Sequence, residues 1–333
     1  MIKFDNEYYK KIIKKYKYDE IKPFLNINMF DVKKNWICSY NLDGFISGIK
    51  RKEKCLIIMG LGINGIPHLG TVSQILKAIY LQKCGFEVQM ILGDLDVYGA
   101  RSTSLDKIDC LLSKYKRFIV SLGFDEKKGK IRNQYDALEI LRTSFILSSV
   151  IRDQDFVEIE EEINELYKTE RVYQGMDFNV KQAISLMFAD FIYPGFMDEY
   201  KHVMIISGID EHGYVWKADE IRKRMNIDMT ISGLYSKMLR GINDYPKMSK
   251  SIVKSNIDLS ISKNDLKEIL LFEQFNYDDY NNSFVYQLMT NVSFYDENYL
   301  KKLKEDCINK NEKWTEDVKK YVDDLYKICN LWR

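Results

Sequence analysis

The chain has 333 residues, of which 46% are hydrophobic and only four are proline. This composition excludes a disordered or collagen-like protein and favours a globular protein rich in helices. The 50 basic and 49 acidic residues almost cancel, which leaves a net charge of +1. A nucleic acid would therefore have to bind to a local patch, because the whole molecule offers it no net attraction.

The cysteines and histidines do not predict a structural zinc site. The six cysteines are scattered without a CxxC pair, and there are only three histidines. The first residues lack the apolar core of a signal peptide, and no uncharged apolar stretch of about 18 residues could span a membrane. We expect a cytosolic protein with reduced thiols and no membrane partner.

The N-terminal region, residues 1–53, is rich in Lys, Tyr and Asn. Its helical spacing predicts an N-terminal helical extension in which no chemistry is evident. The composition changes at residues 55–59, a short apolar run that reads as a buried parallel strand and ends in a cluster of glycines. A helix is expected from residue 71 to 84, with Gly85 as its C-terminal stop.

Strands and helices then alternate along the chain. A second strand at residues 88–92 runs into Gly93 and Asp94, and a third at residues 202–207 runs into Gly208 and Asp210. A long helix is expected at residues 104–122, and residues 136–191 are mostly helical in pattern, with a solvated charged face at residues 158–165. Such alternation implies right-handed crossovers and a parallel sheet whose ligands bind at the carboxyl ends of the strands.

These elements predict an α/β fold, a Rossmann-like doubly wound parallel sheet, followed by a small C-terminal helical domain. The sheet domain is expected at residues 54–255, with a helical insertion near residues 136–191. Helical segments at residues 264–275, 296–308 and 314–332 form the C-terminal domain, residues 256–333.

The turn between the first strand and its helix suits a phosphate. Free backbone N–H groups and the positive end of the helix dipole face whatever docks there. His68 can donate a hydrogen bond to a phosphate oxygen, while Gly65 and Gly70 allow close approach to the backbone. An ordinary tight turn would have the same residues, so this motif alone does not establish a phosphate site.

A loop with two lysines, Lys247-Met248-Ser249-Lys250-Ser251, is more informative. Mobile ammonium groups stabilise the charge on a departing pyrophosphate without any proton transfer. A bare K-x-x-K would more simply be a solvated basic loop. The complete string, placed after three strands that end in Gly and Asp residues, favours phosphate binding.

The His68 turn, the strand end at Gly208 to Glu211 and the string from Lys247 to Ser251 together resemble class I aminoacyl-tRNA synthetases. Residues 55 to about 255 are most similar to the tyrosyl and tryptophanyl subgroup. The resemblance implies a HUP-type nucleotide-binding domain, ATP with Mg²⁺ as cofactors, an amino acid and tRNA as partners, and a homodimer.

The resemblance also implies roles for individual residues. His68, Lys247 and Lys250 would act on the ATP phosphates, and Gly208 and Asp210 would bind the adenosine. The residues expected at the ATP site are Gly60, Gly62, Gly65, His68, Gly70, Thr71, Gly208, Asp210, Glu211, Met248 and Ser249, besides the two lysines. Thr71 departs from the family pattern, because it occupies the place of a second signature histidine.

The amino-acid pocket departs further from the family pattern. Ile58 stands where tyrosyl enzymes have a tyrosine, so tyrosine is not predicted as the substrate, and tryptophan is not supported either. The residues expected near the substrate are Ile58, Asp94, Tyr193, Met197 and Asp198. Asp198 could pair with a substrate ammonium group, or it could belong to a solvated acidic turn.

The remaining histidines differ in their expected roles. His202, at the start of a strand, is expected to be structural, whereas His212 either faces the nucleotide or begins a helix.

Three functions remain open at this point. The first is a two-step ligase that forms an aminoacyl-adenylate and transfers the aminoacyl group to tRNA. The second is a paralogue that adenylates an amino acid but passes it to another acceptor in specialised metabolism. The third is an inactive RNA-binding paralogue, against which the retention of His68 and both lysines argues.

Overall fold

The computed structural model describes residues 5–101, 103–159, 163–170, 172, 175–197 and 199–333. The described residues fall into two compact units. The sheet unit comprises residues 11–65 and 77–237, and the helical unit comprises residues 5–10, 66–76 and 238–333. The lysine loop, residues 247–251, therefore groups with the C-terminal helices, whereas the sequence pattern assigned it to the sheet domain.

Seven strands form one sheet in the described part of the chain: β1 (Asp19–Glu20), β2 (Cys38–Tyr40), β3 (Cys55–Gly62), β4 (Val88–Gly93), β5 (Gly129–Asn133), β6 (His202–Gly208) and β7 (Thr230–Ser236). Helices of the first two-thirds of the chain are α1 (Asn6–Tyr16), α2 (Met29–Asn35), α3 (Leu42–Lys50), α4 (Leu69–Lys83), α5 (Asp94–Arg101), α6 (Leu105–Ser121), α7 (Leu138–Leu147), α8 (Asp153–Glu158), α9 (Ile163–Thr169), α10 (Phe178–Phe196) and α11 (His212–Arg224). The last four are α12 (Lys263–Glu273), α13 (Phe284–Asn291), α14 (Glu297–Asn309) and α15 (Glu312–Asn330). Among the residues described, no helix is long and apolar enough to cross a membrane.

The strand order is β1-β2-β7-β6-β3-β4-β5. Strands β7, β6, β3, β4 and β5 are parallel, whereas β1 and β2 are antiparallel additions at the β7 edge. Every residue of β6 is buried, as expected for a central parallel strand with both faces covered. The predicted Rossmann-like α/β fold with C-terminal helices is confirmed.

The three predicted strands are present as β3, β4 and β6, and Gly85 ends the helix between the first two with a φ of 99°. The sequence pattern did not predict strands β5 and β7. Strand β7 reads Thr-Ile-Ser-Gly-Leu-Tyr-Ser, whose small polar residues give no apolar run although six of its seven residues are buried. Burial by neighbouring strands, rather than composition, makes this segment a strand.

The N-terminal region is not helical throughout. Its strands β1 and β2 pair in the register Asp19 with Ser39 and Glu20 with Cys38. Strand β2 continues the ladder onto β7, where Cys38 lies opposite Tyr235. Strands this short contain too few residues to show an alternating pattern in the sequence. They are identified only by their pairing at the edge of the sheet.

The helical unit is built around buried aromatic and aliphatic side chains of α12 to α15. Trp314 is fully buried, and its indole N–H donates to the carbonyl oxygen of Gln274 at 2.9 Å. The hydroxyl of Tyr321 donates to the carbonyl oxygen of Val292 at 3.0 Å. These bonds satisfy the polar atoms of large rings inside an apolar core, where an unmade bond would be costly.

In the sheet unit, a buried cation joins α8 to α11. The Lys217 side chain is 0% exposed, and its Nζ lies 3.3 Å from Asp155 and 2.7 Å from Glu220 and contacts Glu158. Arg224 also binds Asp155, at 2.6 Å. Desolvation lowers the pKa of Lys217, but the three carboxylates outweigh it and leave the pKa raised. The sequence predicted that residues 158–165 form a solvated charged face. Glu158 instead contacts Lys217, and residues 160–162 lie outside the described residues.

The same three carboxylates have the spacing of a metal site. Oxygen atoms of Asp155, Glu158 and Glu220 lie within 4.8 Å of one another. The ammonium group of Lys217 lies among them, so the charge that a metal ion would supply is already provided by the chain.

Replacing Lys217 with Met is expected to lower the free energy of unfolding by about 3 kcal/mol, because it leaves Asp155 buried with less compensating charge. Urea denaturation followed by circular dichroism measures this. Lys201→Met is the matched control, because the Lys201–Asp228 pair is exposed and should cost below about 1 kcal/mol. Equal losses in both variants would contradict a special role for the buried ammonium.

Candidate active site

The strand order of the sheet reverses between β3 and β6. These two strands are parallel neighbours, with Ile58 opposite Ile205, while β4 continues on one side and β7 on the other. In open α/β sheets, ligands bind in the crevice outside the carboxyl ends of the strands at such a point. The glycines after Met59 and the Gly208–Asp210 segment both lie at these strand ends, as the sequence predicted.

The carboxyl end of β3 leaves room for a ligand. Gly60 and Gly62 are exposed, although Leu61 between them is buried. A side-chain carbon added at Gly60 or Gly65 would have no heavy atom within 4 Å. Ile58, at the strand centre, is fully buried and lies on the same face as the two exposed glycines, because side chains alternate along a strand.

A turn that carries Asp210 follows β6. Residues Ile209–Glu211 form one turn of 3₁₀-helix, and the backbone N–H of His212 donates to the carbonyl oxygen of Ile209. A side-chain carbon added at Gly208 would lie 2.2 Å from Oδ1 of Asp210. Only glycine therefore lets the carboxylate fold back over the strand end, where Asp210 is half-buried and Glu211 is exposed.

Asp94 is bound by the chain itself at the end of β4. Its carboxylate accepts hydrogen bonds from the backbone N–H groups of Leu95, Gln134 and Tyr135 and from the side-chain amide of Asn133, at 2.8 to 3.1 Å. The residue is 3% exposed. This geometry favours a role in joining the ends of β4 and β5 over direct contact with a substrate.

A buried polar network beside Asp94 was not foreseen from the sequence. Asp190 on α10 binds Arg132 at 2.7 Å and accepts a hydrogen bond from the side chain of Gln134 at 2.7 Å. Burial raises the pKa of Asp190, against the opposing charge of Arg132. The only signal in the sequence is an aspartate within an otherwise apolar helical stretch.

The predicted substrate residues of α10 lie near its C-terminal end. Tyr193 is half-buried, and Met197 is 58% exposed and caps the helix with an N–H that donates to the carbonyl oxygens of Tyr193 and Pro194. Asp198 lies outside the described residues. His202, expected to be structural, binds Glu53 through Nε2 at 2.6 Å.

In the helical unit, the His68 turn is joined to the segment that leaves the lysine loop. His68 forms an isolated antiparallel bridge with Asp258. The N–H of Leu69 donates to the carbonyl oxygen of Ile257 at 3.0 Å, and the N–H of Leu259 donates to that of Pro67 at 3.0 Å. Two motifs about 180 residues apart in the sequence are thus brought together by backbone pairing.

The contacts of His68 define which nitrogen of its ring carries the proton. The backbone N–H of Thr71 donates to Nδ1 at 3.2 Å, so the neutral ring carries its proton on Nε2. Desolvation lowers the pKa of His68 to about 3, and the charges of Lys250 and Lys247 act in the same direction. His68 is therefore a neutral donor at ordinary pH.

Close packing holds the His68 ring. A side-chain carbon added at Gly70 would lie 2.9 Å from the ring of His68 and 3.7 Å from Cβ of Met248. Gly70 thus lies between the histidine and the lysine loop, and its lack of a side chain permits their approach.

The lysine loop is an ordered structure rather than a solvated run. The N–H of Ser249 donates to the hydroxyl of Ser255 at 3.0 Å, and the side-chain amide of Asn256 donates to the carbonyl oxygen of Ser249 at 2.9 Å. Met248 and Ser249 are buried, whereas Lys247 and Lys250 are half-buried. The two buried residues anchor the loop, and the lysines on either side remain partly accessible.

Comparisons with known proteins agree with this architecture. A family model described as class I tRNA synthetases (W and Y) matches residues 50–329. The tyrosine–tRNA ligase of Archaeoglobus fulgidus is 25% identical over 207 residues, 61% of this chain and 59% of that protein. Tryptophan–tRNA ligase 1 of Halobacterium salinarum is 24% identical over 181 residues, 54% of this chain and 33% of that protein. The match thus spans less than two-thirds of these relatives.

Solved structures resemble the chain over almost its whole length. The tryptophanyl-tRNA synthetase of Aeropyrum pernix has a TM-score of 0.78 at 17% identity and covers 98% of this chain and 92% of its own. The tryptophan-bound enzyme of Encephalitozoon cuniculi has a TM-score of 0.74 at 15% identity and covers 97% and 94%. At such identities the likeness shows the fold. Because the family model spans most of the chain, the protein belongs to the class I tRNA synthetases of the tryptophanyl and tyrosyl type.

Proposed function

We propose that the protein activates an amino acid with ATP as an aminoacyl-adenylate, releases pyrophosphate and transfers the aminoacyl group to tRNA. One observation carries the ATP half of this proposal. The His68 turn is hydrogen-bonded to the segment after the lysine loop, and desolvation, reinforced by the charges of Lys250 and Lys247, lowers the pKa of His68. A neutral donor and two ammonium groups in one unit suit a polyphosphate.

The proposed first step is a displacement at phosphorus. A carboxylate oxygen of the amino acid forms a bond to the α-phosphorus, and the bond from that phosphorus to the bridging oxygen breaks, so that the electron pair leaves with pyrophosphate. The carboxylate is already a nucleophile, so no general base is required. Lys247 and Lys250 stabilise the charge that develops on the departing oxygens, and the Nε2–H of His68 donates to a phosphate oxygen.

The remaining predicted residues have supporting roles in this proposal. Gly60 and Gly65 leave space for a ligand at the end of β3, where Gly62 is also exposed, and Gly208 and Asp210 bind the adenosine at the switch point. Mg²⁺ would accompany the nucleotide and would offset the charge of its phosphates. Tyr193, Met197 and Asp198 are proposed for the amino acid beside the buried Ile58, with Asp94 supporting them through its hydrogen bonds to the chain.

Transfer to tRNA is the finer part of the proposal and is supported by membership of the family. The proposal also includes a homodimer. Helix α7 offers an apolar surface for a second copy, because Phe145 is 82% exposed and Leu138 and Leu141 lie on the same face.

Pyrophosphate exchange with each amino acid in turn, with and without total tRNA, tests the proposed reaction. We expect exchange with one amino acid or a closely related set, followed by acylation of tRNA. No exchange with any amino acid would overturn the adenylation. Exchange without tRNA acylation would overturn the transfer step and select another acceptor.

Lys250→Ala is expected to slow pyrophosphate exchange at least about 100-fold while the KM for the amino acid changes less than about threefold, because the ammonium group acts on the leaving pyrophosphate. Lys263→Ala is the control, because Lys263 belongs to the same unit and forms a half-exposed pair with Asp323. Equal effects of Lys250→Ala on kcat and on amino-acid binding would contradict the assigned role.

A pH titration of stability tests the neutral state of His68. The folded pKa of about 3 lies below the ordinary value of 6.5, so the unfolded chain binds the proton first as the pH falls. The residue then destabilises the fold progressively from pH 6.5 towards 3 and has no such effect above pH 6.5.

We expect the free energy of unfolding to fall between pH 6 and 4 by about 2.5 kcal/mol more in the wild type than in His68→Gln. Guanidinium denaturation at each pH gives this difference. Parallel curves for the two proteins would show that His68 takes up its proton in the folded state at an ordinary pH.

A further inference from the structure

The N-terminal region, in which the sequence showed no chemistry, contacts the residue that follows the Asp210 turn. The hydroxyl of Tyr18 lies 2.6 Å from Nδ1 of His212. The ring of Tyr16 meets the ring of His212 edge-on, with the centroids 4.4 Å apart. Tyr18 and His212 are 194 positions apart in the chain. Tyr16, Tyr18 and His212 all belong to the sheet unit.

This contact lies in a buried aromatic cluster. Tyr18 is 7% exposed, His212 8% and Tyr235 0%. The rings of Tyr18 and Tyr235 lie 5.1 Å apart, and Tyr40 meets Tyr18 edge-on at 6.3 Å. A polar atom buried among rings needs its partner, so the Tyr18–His212 bond fixes the orientation of the imidazole.

Both partners of this bond stay neutral at ordinary pH. Burial raises the pKa of Tyr18, and desolvation lowers the pKa of His212 to about 4, with the charge of Asp210 opposing and that of Lys15 reinforcing the shift. Asp210 lies in the 3₁₀ turn that the backbone N–H of His212 closes. Tyr18 is thus linked through His212 to the surroundings of Asp210.

The position of Tyr18 is set by the sheet. It directly precedes Asp19, which pairs with Ser39 in the β1–β2 ladder. At the other end of the link, the backbone N–H of His212 closes the 3₁₀ turn that holds Asp210. The sheet holds the hydroxyl of Tyr18 in place, and His212 closes the turn that contains Asp210. The bond between Tyr18 and His212 therefore restrains this turn, in addition to stabilising the core.

We propose that Tyr18 is a positioning residue for the nucleotide: through His212 it holds the turn in which Asp210 binds the adenosine of ATP. The inference rests on the proposed function for the identity of that ligand. A tyrosine that served only the core would support ATP and amino-acid binding equally, whereas a positioning tyrosine supports ATP alone.

Tyr18→Phe separates the two roles, because it keeps the ring and removes the hydroxyl. We expect the Kd of ATP, measured by isothermal titration calorimetry on the full chain, to rise about fivefold to tenfold, which is the effect of one lost hydrogen bond. The KM for ATP in pyrophosphate exchange should rise in parallel, while the KM for the amino acid stays within about twofold.

Tyr40→Phe is the matched control. The hydroxyl of Tyr40 donates to Asp219 at 2.8 Å. Asp219 belongs to α11, as His212 does, but it lies further along that helix from the Asp210 turn. This variant loses a part-buried hydroxyl from the same cluster and should leave the Kd of ATP within about twofold. Equal losses of ATP affinity in the two variants, or none in Tyr18→Phe, would overturn the proposal.

A third variant confirms the route through the imidazole. His212→Asn should weaken ATP binding, and adding Tyr18→Phe to it should have little further effect, because both changes break the same link. Additive losses would overturn the route. If the wild type binds ATP but shows no pyrophosphate exchange, the adenylation is overturned, and the Tyr18 inference is judged by the ATP affinities of the variants. A wild type that does not bind ATP would overturn both.

Discussion

The parallel pairing of β3 with β6 is the constraint on which the sheet unit depends. Because these strands are sequence-distant neighbours at the point where the strand order reverses, their carboxyl ends open a crevice that neither strand forms alone. Glycine occupies the rim on both strands, at Gly60, Gly62 and Gly208. Space for a ligand and the position of Asp210 both follow from this one pairing.

A comparable constraint organises the helical unit at smaller scale. Three residues from Pro67 to Leu69 pair with residues 257–259 through two backbone hydrogen bonds of 3.0 Å. Backbone pairing is insensitive to side chains, so it fixes the His68 turn against the exit of the lysine loop while leaving the side chains for chemistry. Desolvation lowers the pKa of His68 in this arrangement, and the charges of Lys250 and Lys247 act in the same direction.

Buried polar groups in the sheet unit hold the elements that carry the site. Asp94 is held by N–H groups of the chain at the end of β5, Lys217 joins α8 to α11, and Tyr18 binds His212 at the start of α11. Asp94, Lys217 and Tyr18 are themselves buried, so the contacts that satisfy their polar atoms are costly to break and specify one arrangement. Rigid support of this kind suits a site that works by alignment and charge rather than by proton transfer.

The sequence by itself determined the features that depend on local pattern. Apolar runs ending in glycine predicted β3, β4 and β6. Helical spacing predicted α4, α6, α12, α14 and α15 but not α13, and the His68 turn with the lysine string indicated the family. These signals are local because strand burial, helix periodicity and phosphate-binding turns each require particular residues within a few positions.

Tertiary structure decided the rest. The strands β1, β2, β5 and β7 exist because neighbouring strands offer them hydrogen bonds, together with burial for β2 and β7, and their own composition gives no apolar run. The role of Asp94 depends on Gln134, 40 positions away, whose N–H binds its carboxylate. The role of the N-terminal region depends on the contact between Tyr18 and His212, which are 194 positions apart. Such pairings leave no trace in spacing, because a side chain's partner is set by where the backbone returns.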